Sequence, residues 1–89
     1  MFSGIIKHIG KINKIHKNND NCAIEVISKV KFSKFEIGSS ISCSGVCLTL
    51  EKYKKNLSKF YISKETLNRT NFKFMNKGDI INLEKSLKY

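Results

Sequence analysis

The chain has 89 residues, of which 40% are hydrophobic, and it carries a formal net charge of +10 at pH 7. This length allows one core, so we treat residues 1–89 as a single domain. The sequence has neither an apolar run of about 20 residues nor a basic stretch ahead of an apolar segment, which excludes a membrane helix and an ordinary secretory signal and leads us to expect a cytoplasmic protein.

The first part of the chain alternates polar and apolar residues, the pattern of half-buried strands. Residues 5–28 are predicted to form a hairpin whose turn is the polar run 17–21. Its return strand, residues 22–28, is rich in β-branched side chains. Gly10 indicates a bend or a bulge in the first strand. The uneven spacing of apolar residues over 29–38 predicts a short helical turn or a loop.

The middle of the chain is predicted to form two strands, residues 39–44 and 46–53, which Gly45 separates. Because side chains alternate across a strand, the second of them has two distinct faces. We expect three apolar residues on one face and the intervening residues on the other: Val46, Leu48 and Leu50 opposite Cys47, Thr49 and Glu51.

The last part contains the one convincing helix, residues 63–69. Ser63 is suited to the N-cap, Glu65 to the first turn, and Asn71 can close the helix. A polar turn at 52–58 and a strand at 57–62 precede it.

A turn at 77–79 and a final strand at 80–87 follow the helix. The count is then six short strands and one short helix in about 90 residues, which predicts an all-β fold with a small, closed antiparallel barrel.

The basic charge favours a solvated surface over a nucleic-acid partner, which stays open as an alternative. All but one of the 17 cations are Lys, whereas recognition of phosphates and bases favours the planar Arg side chain. Three cysteines in a chain of this type indicate reduced thiols. Their spacing is not that of a zinc site, so we expect no metal.

No nucleophile–base constellation, phosphate loop or paired carboxylates are legible in the sequence. Two segments could present polar groups to a flat heterocycle. Residues 43–49 alternate small polar and apolar side chains, although their cysteines could equally just fill the core. Residues 61–66 run from a strand into a helix, where Ser63 and Thr66 could equally act only as caps. His8 and His16 lack sequence neighbours that would recruit them, and we expect both at the surface.

Four segments, in order, resemble the riboflavin synthase family. The start Met1-Phe2-Ser3-Gly4-Ile5-Ile6 is similar to the family's Met-Phe-Thr-Gly-Ile-Ile/Val, and the segment 44–49 to its Asn-Gly-Val/Cys-Cys-Leu-Thr. The segment 60–71 resembles Phe-Asp-Val-x-x-Glu-Thr-Leu-x-x-Thr-Asn, and 78–84 resembles Gly-Asp-x-Val-Asn-Leu-Glu. Each match alone is weak, but their common order over nearly the whole chain is specific.

The resemblance implies a six-stranded Greek-key barrel that binds ribityl-lumazine. In the family, two such barrels lie in tandem and the enzyme is a trimer without metal or organic cofactor. Each active site lies between barrels of two subunits and converts two lumazine molecules into riboflavin and a ribitylamino-uracil by transfer of a four-carbon unit. The substrate-binding residues implied here are Phe2, Gly4, Ile5, Ile6, Cys47, Leu48, Thr49, Tyr61, Ile62, Ser63, Lys64, Glu65 and Thr66.

Among them, the resemblance implies that the Thr49 hydroxyl binds the pteridine edge and that backbone groups near Ile62 and Ser63 hold the ring. Cys47 would lie near the reacting ring and assist addition or proton transfer, which makes it the one candidate catalytic residue. Phe2 would hold the N-terminal segment against the site.

Three departures from the family pattern bear on function. Ser44 replaces the usual Asn, and Tyr61 stands where the family often has Asp. The family's second barrel does not follow residue 89, so the chain is expected to be the N-terminal half of the enzyme or a lone barrel that could form a homodimer. A non-catalytic lumazine- or flavin-binding protein remains the main alternative.

Overall fold

A computed structural model describes residues 8–18 and 21–85. Its six strands are β1 (His8–Lys17), β2 (Asn21–Ser28), β3 (Ser40–Cys43), β4 (Val46–Lys54), β5 (Leu57–Ser63) and β6 (Ile80–Lys85). They pair antiparallel in the order β1-β2-β5-β4-β3-β6 and close into a barrel. Because β2 pairs with β5 and not with β3, the connections are those of a Greek key. The predicted all-β, six-stranded antiparallel barrel is confirmed.

Alternating side chains separate the barrel interior from its outer face. On β4 the interior face holds Leu48 and Leu50, and the intervening residues Cys47, Thr49 and Glu51 are exposed or half-buried. This is the division that the sequence predicts. The interior is filled mainly by aliphatic side chains from all six strands, with Phe32 and Phe72 closing it: Ile12, Cys22, Ile24, Val26, Val30, Ile41, Cys43, Leu48, Leu50, Phe60, Ile62, Ile81 and Leu83.

The first strand pairs with β2 on one side and β6 on the other, and Gly10 lies at the point where both pairings meet. We expected a bulge at this glycine, but the register shift falls at Asn13, between Ile12 and Lys14. Gly10 is needed for space: a Cβ atom here would lie 2.5 Å from Cγ1 of Val26. Of the predicted bend or bulge at Gly10, the bulge is therefore contradicted, and the close approach of Val26 accounts for the glycine.

Two residues, Ser44 and Gly45, connect β3 to β4 with φ angles of 51° and 85°. A two-residue hairpin of type I′ needs positive φ at both positions, and glycine adopts it without strain. The tight connection fixes the register in which Ser42 lies opposite Cys47. The turn thereby determines which β3 residues lie beside the outer face of β4.

The predicted helical turn in residues 29–38 is a 3-10 helix at Lys34–Glu36. Lys85 of β6 anchors this connection: its ammonium donates to the carbonyl of Lys31, lies 3.2 Å from Oε1 of Glu36, and sits 5.0 Å from the Phe32 ring centroid. Partial burial opposes the charged form of Glu36, but the hydrogen bond from the Ser33 amide and the nearby Lys85 ammonium outweigh it and lower the pKa of this carboxyl.

The helix α1 (Lys64–Arg69) begins at the predicted N-cap, where the Ser63 hydroxyl accepts from the Thr66 amide at 3.2 Å. Asn71 does not close this helix as we expected; it begins a 3-10 helix, Asn71–Phe74, which Thr70 caps. A separate short helix forms because Phe72 must turn inward, where it is buried in the core. Among the described residues, no helix has the length and apolar character to cross a membrane.

Candidate functional site

The outer face of the barrel carries an uncharged row of side chains, which we name the central row: Ser40, Thr49, Tyr61 and Ala23. These residues are direct cross-strand neighbours, because Ser40 pairs with Thr49, Thr49 with Tyr61 and Tyr61 with Ala23. Directly opposed side chains in a sheet have Cβ atoms about 5 Å apart. The row therefore joins β3, β4, β5 and β2 into one continuous surface of hydroxyls, a phenol ring and a methyl group.

A charged row lies next to the central row on the same face. Lys52 pairs with Lys59, Lys59 with Glu25, and Glu25 with Lys14. Along β5 only Phe60 separates Lys59 from Tyr61, which places them about 7 Å apart along the strand. Lys14, Lys52 and Lys59 thus lie one row away from the central row, which itself contains no lysine.

The ladder between β4 and β5 stops at the central row. Their described pairing runs from Lys54–Leu57 to Thr49–Tyr61. Beyond this point β4 continues against β3 through Leu48 and Cys47, while β5 continues against β2 through Ile62 and Ser63. We name this parting of the two strands the β4–β5 split. In the described part of the chain, the facing backbone edges of 47–48 and 62–63 are not paired with each other.

The side chains of Leu48 and Ile62 point into the barrel and are almost completely buried. At both of these predicted contact residues, a ligand at the split could reach the backbone but not the side chain. For Ile62 this arrangement suits the expectation that backbone groups hold the ring. Leu48 was expected to border the ligand, and its side chain is directed away from the outer face.

Cys47 brings a thiol to the border of the split. It is exposed, whereas Cys43 and Cys22 are buried. Burial, with a smaller contribution from neighbouring Cys47, raises the pKa of the Cys43 thiol far above its usual range. Burial likewise raises the pKa of Cys22, against a smaller opposing effect of Lys17. Cys47 is therefore the accessible thiol of the described chain, and the two buried cysteines fill the core.

The far side of the split is the junction of β5 and α1. The Ser63 hydroxyl donates to Oγ1 of Thr66 at 2.9 Å and also accepts from its amide, so capping engages both side chains. Lys64 and Glu65 are exposed, and Glu65 lies 3.5 Å from Arg69 in an i,i+4 ion pair. The capping role considered for Ser63 is confirmed, and Thr66 is the residue that Ser63 caps.

Among the predicted residues, Thr49 and Tyr61 are paired at the split. Cys47 and Ser63 follow two positions farther along β4 and β5, and Thr66 is hydrogen-bonded to Ser63. Phe2, Gly4, Ile5 and Ile6 fall outside the described residues. The clefts described on this structure lie elsewhere; one of 260 Å³, for example, is lined by Tyr53, Lys54 and Leu57 beside the β4–β5 turn.

The sequence analysis did not identify Ser40 and Ala23, which belong to the central row. Their positions depend on cross-strand register, for which local alternation holds no signal. It also missed the partner of His16, whose Nε2 lies 2.7 Å from Oε2 of Glu25. His16 is half-buried beside Ala23 at the end of the central row.

In residues 8–18 and 21–85 no group of three or more His, Cys, Asp or Glu side chains could hold a metal ion.

These features define a small, closed Greek-key barrel with an uncharged polar wall at a split between two strands. The model of the lumazine binding domain matches residues 3–86. The chain belongs to this family of lumazine-binding domains.

Curated relatives of the chain carry the name riboflavin synthase. That of Chlamydia trachomatis serovar D is 38% identical over 99% of the chain and 44% of its own length. That of Photobacterium leiognathi is 39% identical, over 98% of the chain and 40% of the relative. For Brucella abortus the identity is 37%, over 99% of the chain and 46% of the relative. The chain thus spans less than half the length of these relatives.

Proposed function

We propose that this barrel is the N-terminal, lumazine-binding half of a riboflavin synthase. The reaction is the dismutation of two molecules of 6,7-dimethyl-8-ribityllumazine to riboflavin and 5-amino-6-(D-ribitylamino)uracil. The observation that carries the proposal is the uncharged central row at the β4–β5 split, where Thr49 and Tyr61 form the last described β4–β5 pair. Cys47 and Ser63 follow two positions farther along the two parting strands. The identity to riboflavin synthases along 98–99% of the chain supports it.

The wall offers the kinds of group that a neutral pteridine needs. The Thr49 hydroxyl binds an edge of the ring, and the backbone at Ile62 and Ser63 supplies amide and carbonyl groups to the other polar atoms. No fixed charge of the central row is covered when the ring binds, so no lysine has to be desolvated. Phe2, Gly4, Ile5 and Ile6 border the ring on the side of the N-terminal segment.

The protein contributes mainly orientation to this reaction. Two flat molecules held face to face react as if they were one molecule, which lowers the entropic part of the barrier. The acidic methyl group of the lumazine ring supplies much of the reactivity. Cys47, the accessible thiol at the border of the split, assists addition or proton transfer beside the reacting ring.

An open wall requires a second surface to enclose the paired substrates. In this proposal a second barrel supplies that surface. The relatives are more than twice the length of the chain, which leaves room for such a barrel. The full enzyme is a cytoplasmic homotrimer whose active sites lie between barrels of neighbouring subunits. A lone barrel binds lumazine and forms a homodimer.

The test is to mix the purified chain with 6,7-dimethyl-8-ribityllumazine and to follow absorbance and fluorescence over time. Thr49→Ala removes the hydroxyl, Cys47→Ser replaces the thiol, and Lys54→Ala, farther along β4, serves as the control. We expect an immediate spectral change that weakens about tenfold in Thr49→Ala, as for the loss of one hydrogen bond to a bound ligand, and stays intact in Lys54→Ala. Cys47→Ser should bind normally and lose rate wherever turnover is seen.

Two further results separate the alternatives. Slow growth of the riboflavin band shows that paired barrels suffice for the reaction, whereas binding without turnover places catalysis in the complete enzyme or identifies a non-catalytic binder. Raising the salt concentration should change binding little, because the central row carries no lysine. Steep salt dependence would indicate phosphate contacts and a nucleic-acid ligand. Folded protein that leaves the lumazine spectrum unchanged would refute the proposal.

A further inference from the structure

The central row contains a single aromatic side chain, Tyr61, at the last pair before the β4–β5 split. Its cross-strand neighbours are both small, Thr49 on β4 and Ala23 on β2. Large neighbours would cover the ring from the sides. Small ones leave a half-buried phenol ring beside the opening, between strands whose other residues at this level are short.

The other described tyrosine has a different environment. The Tyr53 ring packs edge-on against Phe32 with centroids 5.3 Å apart, and its hydroxyl donates to the carbonyl of Val30 at 3.4 Å. Tyr53 packs against the barrel interior, whereas Tyr61 alternates with the buried Phe60 and Ile62 and so faces outward. Packing against the core therefore accounts for the aromatic ring at position 53, but it does not account for the one at position 61.

We propose that the Tyr61 ring is a stacking platform for the heterocyclic ring of the ligand, a specificity-determining contact that selects flat aromatic molecules. This inference rests on the proposed function, since it concerns the same site. Aromatic rings stack in offset or edge-on contacts, and a π-face accepts any flat ring system regardless of its hydrogen-bonding pattern. Thr49 and the backbone at the split then determine the orientation of the ring, while Tyr61 provides contact area.

The opposite hypothesis is that the Tyr61 side chain occupies the wall and keeps ligands out. The two hypotheses predict changes of opposite sign. If the ring stacks on the ligand, its removal weakens binding. If it blocks the wall, its removal strengthens binding.

The experiment compares Tyr61→Leu, which removes the aromatic ring, with Tyr61→Phe, which removes only the hydroxyl. Phe35→Leu is the matched control, because Phe35 is an 83% exposed aromatic on the 3-10 helix outside the site. Dissociation constants for 6,7-dimethyl-8-ribityllumazine and riboflavin are measured by fluorescence titration, and the absorption band of each bound ligand is recorded. Thermal unfolding checks each fold. Tyr61→Thr, a β-branched residue suited to strands, replaces the Leu variant should that one not fold.

We expect Tyr61→Leu to bind both ligands about tenfold more weakly, as typical losses of a stacking contact imply. The shift that binding causes in the absorption band of the ligand should also be smaller for Tyr61→Leu than for wild type. Tyr61→Phe should bind within about twofold of wild type, since it keeps the ring, and Phe35→Leu should match wild type. A structural defect alone would lower the unfolding temperature of Tyr61→Leu, whereas loss of a ligand contact weakens binding and leaves that temperature close to the wild-type value.

Equal or tighter binding by Tyr61→Leu would overturn the stacking role, as would a Phe variant as weak as the Leu variant. In both cases wild-type protein still binds lumazine, so the proposed function stands. If the folded wild-type chain binds neither ligand, the proposed function fails and the stacking role fails with it. The wild-type titration therefore distinguishes the two failures before any variant is compared.

Discussion

Gly10 provides the sharpest test of how this barrel packs. A Cβ atom added there would lie 2.5 Å from Cγ1 of Val26 and 3.2 Å from Cδ1 of Leu83. Val26 cannot move aside easily, because its β-branched side chain has few rotamers and is completely buried. Extra methylenes in a packed core cost typically about 1–3 kcal/mol. We therefore expect Gly10→Ala to lose about 2 kcal/mol of unfolding free energy, which lowers the unfolding temperature by roughly 8–16 °C in a domain of this size.

The assay is urea unfolding followed by circular dichroism, applied to Gly10→Ala, Val26→Ala and the double variant. If the clash is the cause, the new methyl group at position 10 occupies space that Val26→Ala vacates. The double variant should then be about 1–2 kcal/mol more stable than the sum of the single effects predicts. Gly45→Ala is the control: it has no atom within 4 Å of the new Cβ but a φ of +85°, so it should cost about 1 kcal/mol through backbone strain alone, independently of Val26.

Additive single effects, or a loss below about 0.5 kcal/mol in Gly10→Ala, would refute the packing argument. The first result would mean that the two sites do not compete for the same volume. The second would mean that β1 can move away from β2 without cost, although both of its edges are paired.

Three further predictions concern single side chains. Iodoacetamide should modify Cys47 long before Cys43 in native protein, because burial raises the pKa of the Cys43 thiol. Bound lumazine should slow the reaction at Cys47. Mass spectrometry of the alkylated peptides measures both rates, and equal rates at the two cysteines would contradict the burial of Cys43. Glu36→Gln should lose about 1 kcal/mol at neutral pH. Because the folded-state pKa of Glu36 is lowered, the loss should vanish as the pH falls through that pKa; denaturant titrations across the acid range would show a constant difference if the argument were wrong. Ser58→Ala should raise the unfolding free energy by up to about 1 kcal/mol in the same assay. The reason is that the Ser58 hydroxyl is completely buried with no hydrogen-bond partner among the described residues. A clear decrease in the unfolding free energy would contradict this reasoning.

Local sequence patterns predicted most elements of this barrel, because each was specified by neighbouring residues. The predicted turn over 52–58 was too long, since β4 continues to Lys54 and β5 begins at Leu57. The alternation from Val46 to Glu51 determines which β4 side chains face the core. Ser63 caps the helix that follows it, three residues from its partner Thr66. Both signals operate within one turn or one strand and need no knowledge of the rest of the chain.

Properties that depend on strand register could not be predicted in this way. Nothing in the residues around Ala23 indicates that it lies beside Tyr61, because the pairing of β2 with β5 results from closure of the whole barrel. The same holds for the tie between Lys85 and Glu36. Gly10 was misassigned for a related reason: a glycine that makes space for Val26 and one that permits a bulge look the same in sequence.

The net charge illustrates why placement matters more than composition for the identity of a ligand. A charge of +10 suggests an anionic partner, yet the central row that ends at the split is uncharged, with Lys59 and Lys52 one row away. A flat neutral ring that covered a lysine would have to remove its hydration without supplying a counter-charge, at a cost that stacking could not offset. The separation of the two rows therefore favours a neutral heterocycle over a phosphate backbone at this wall.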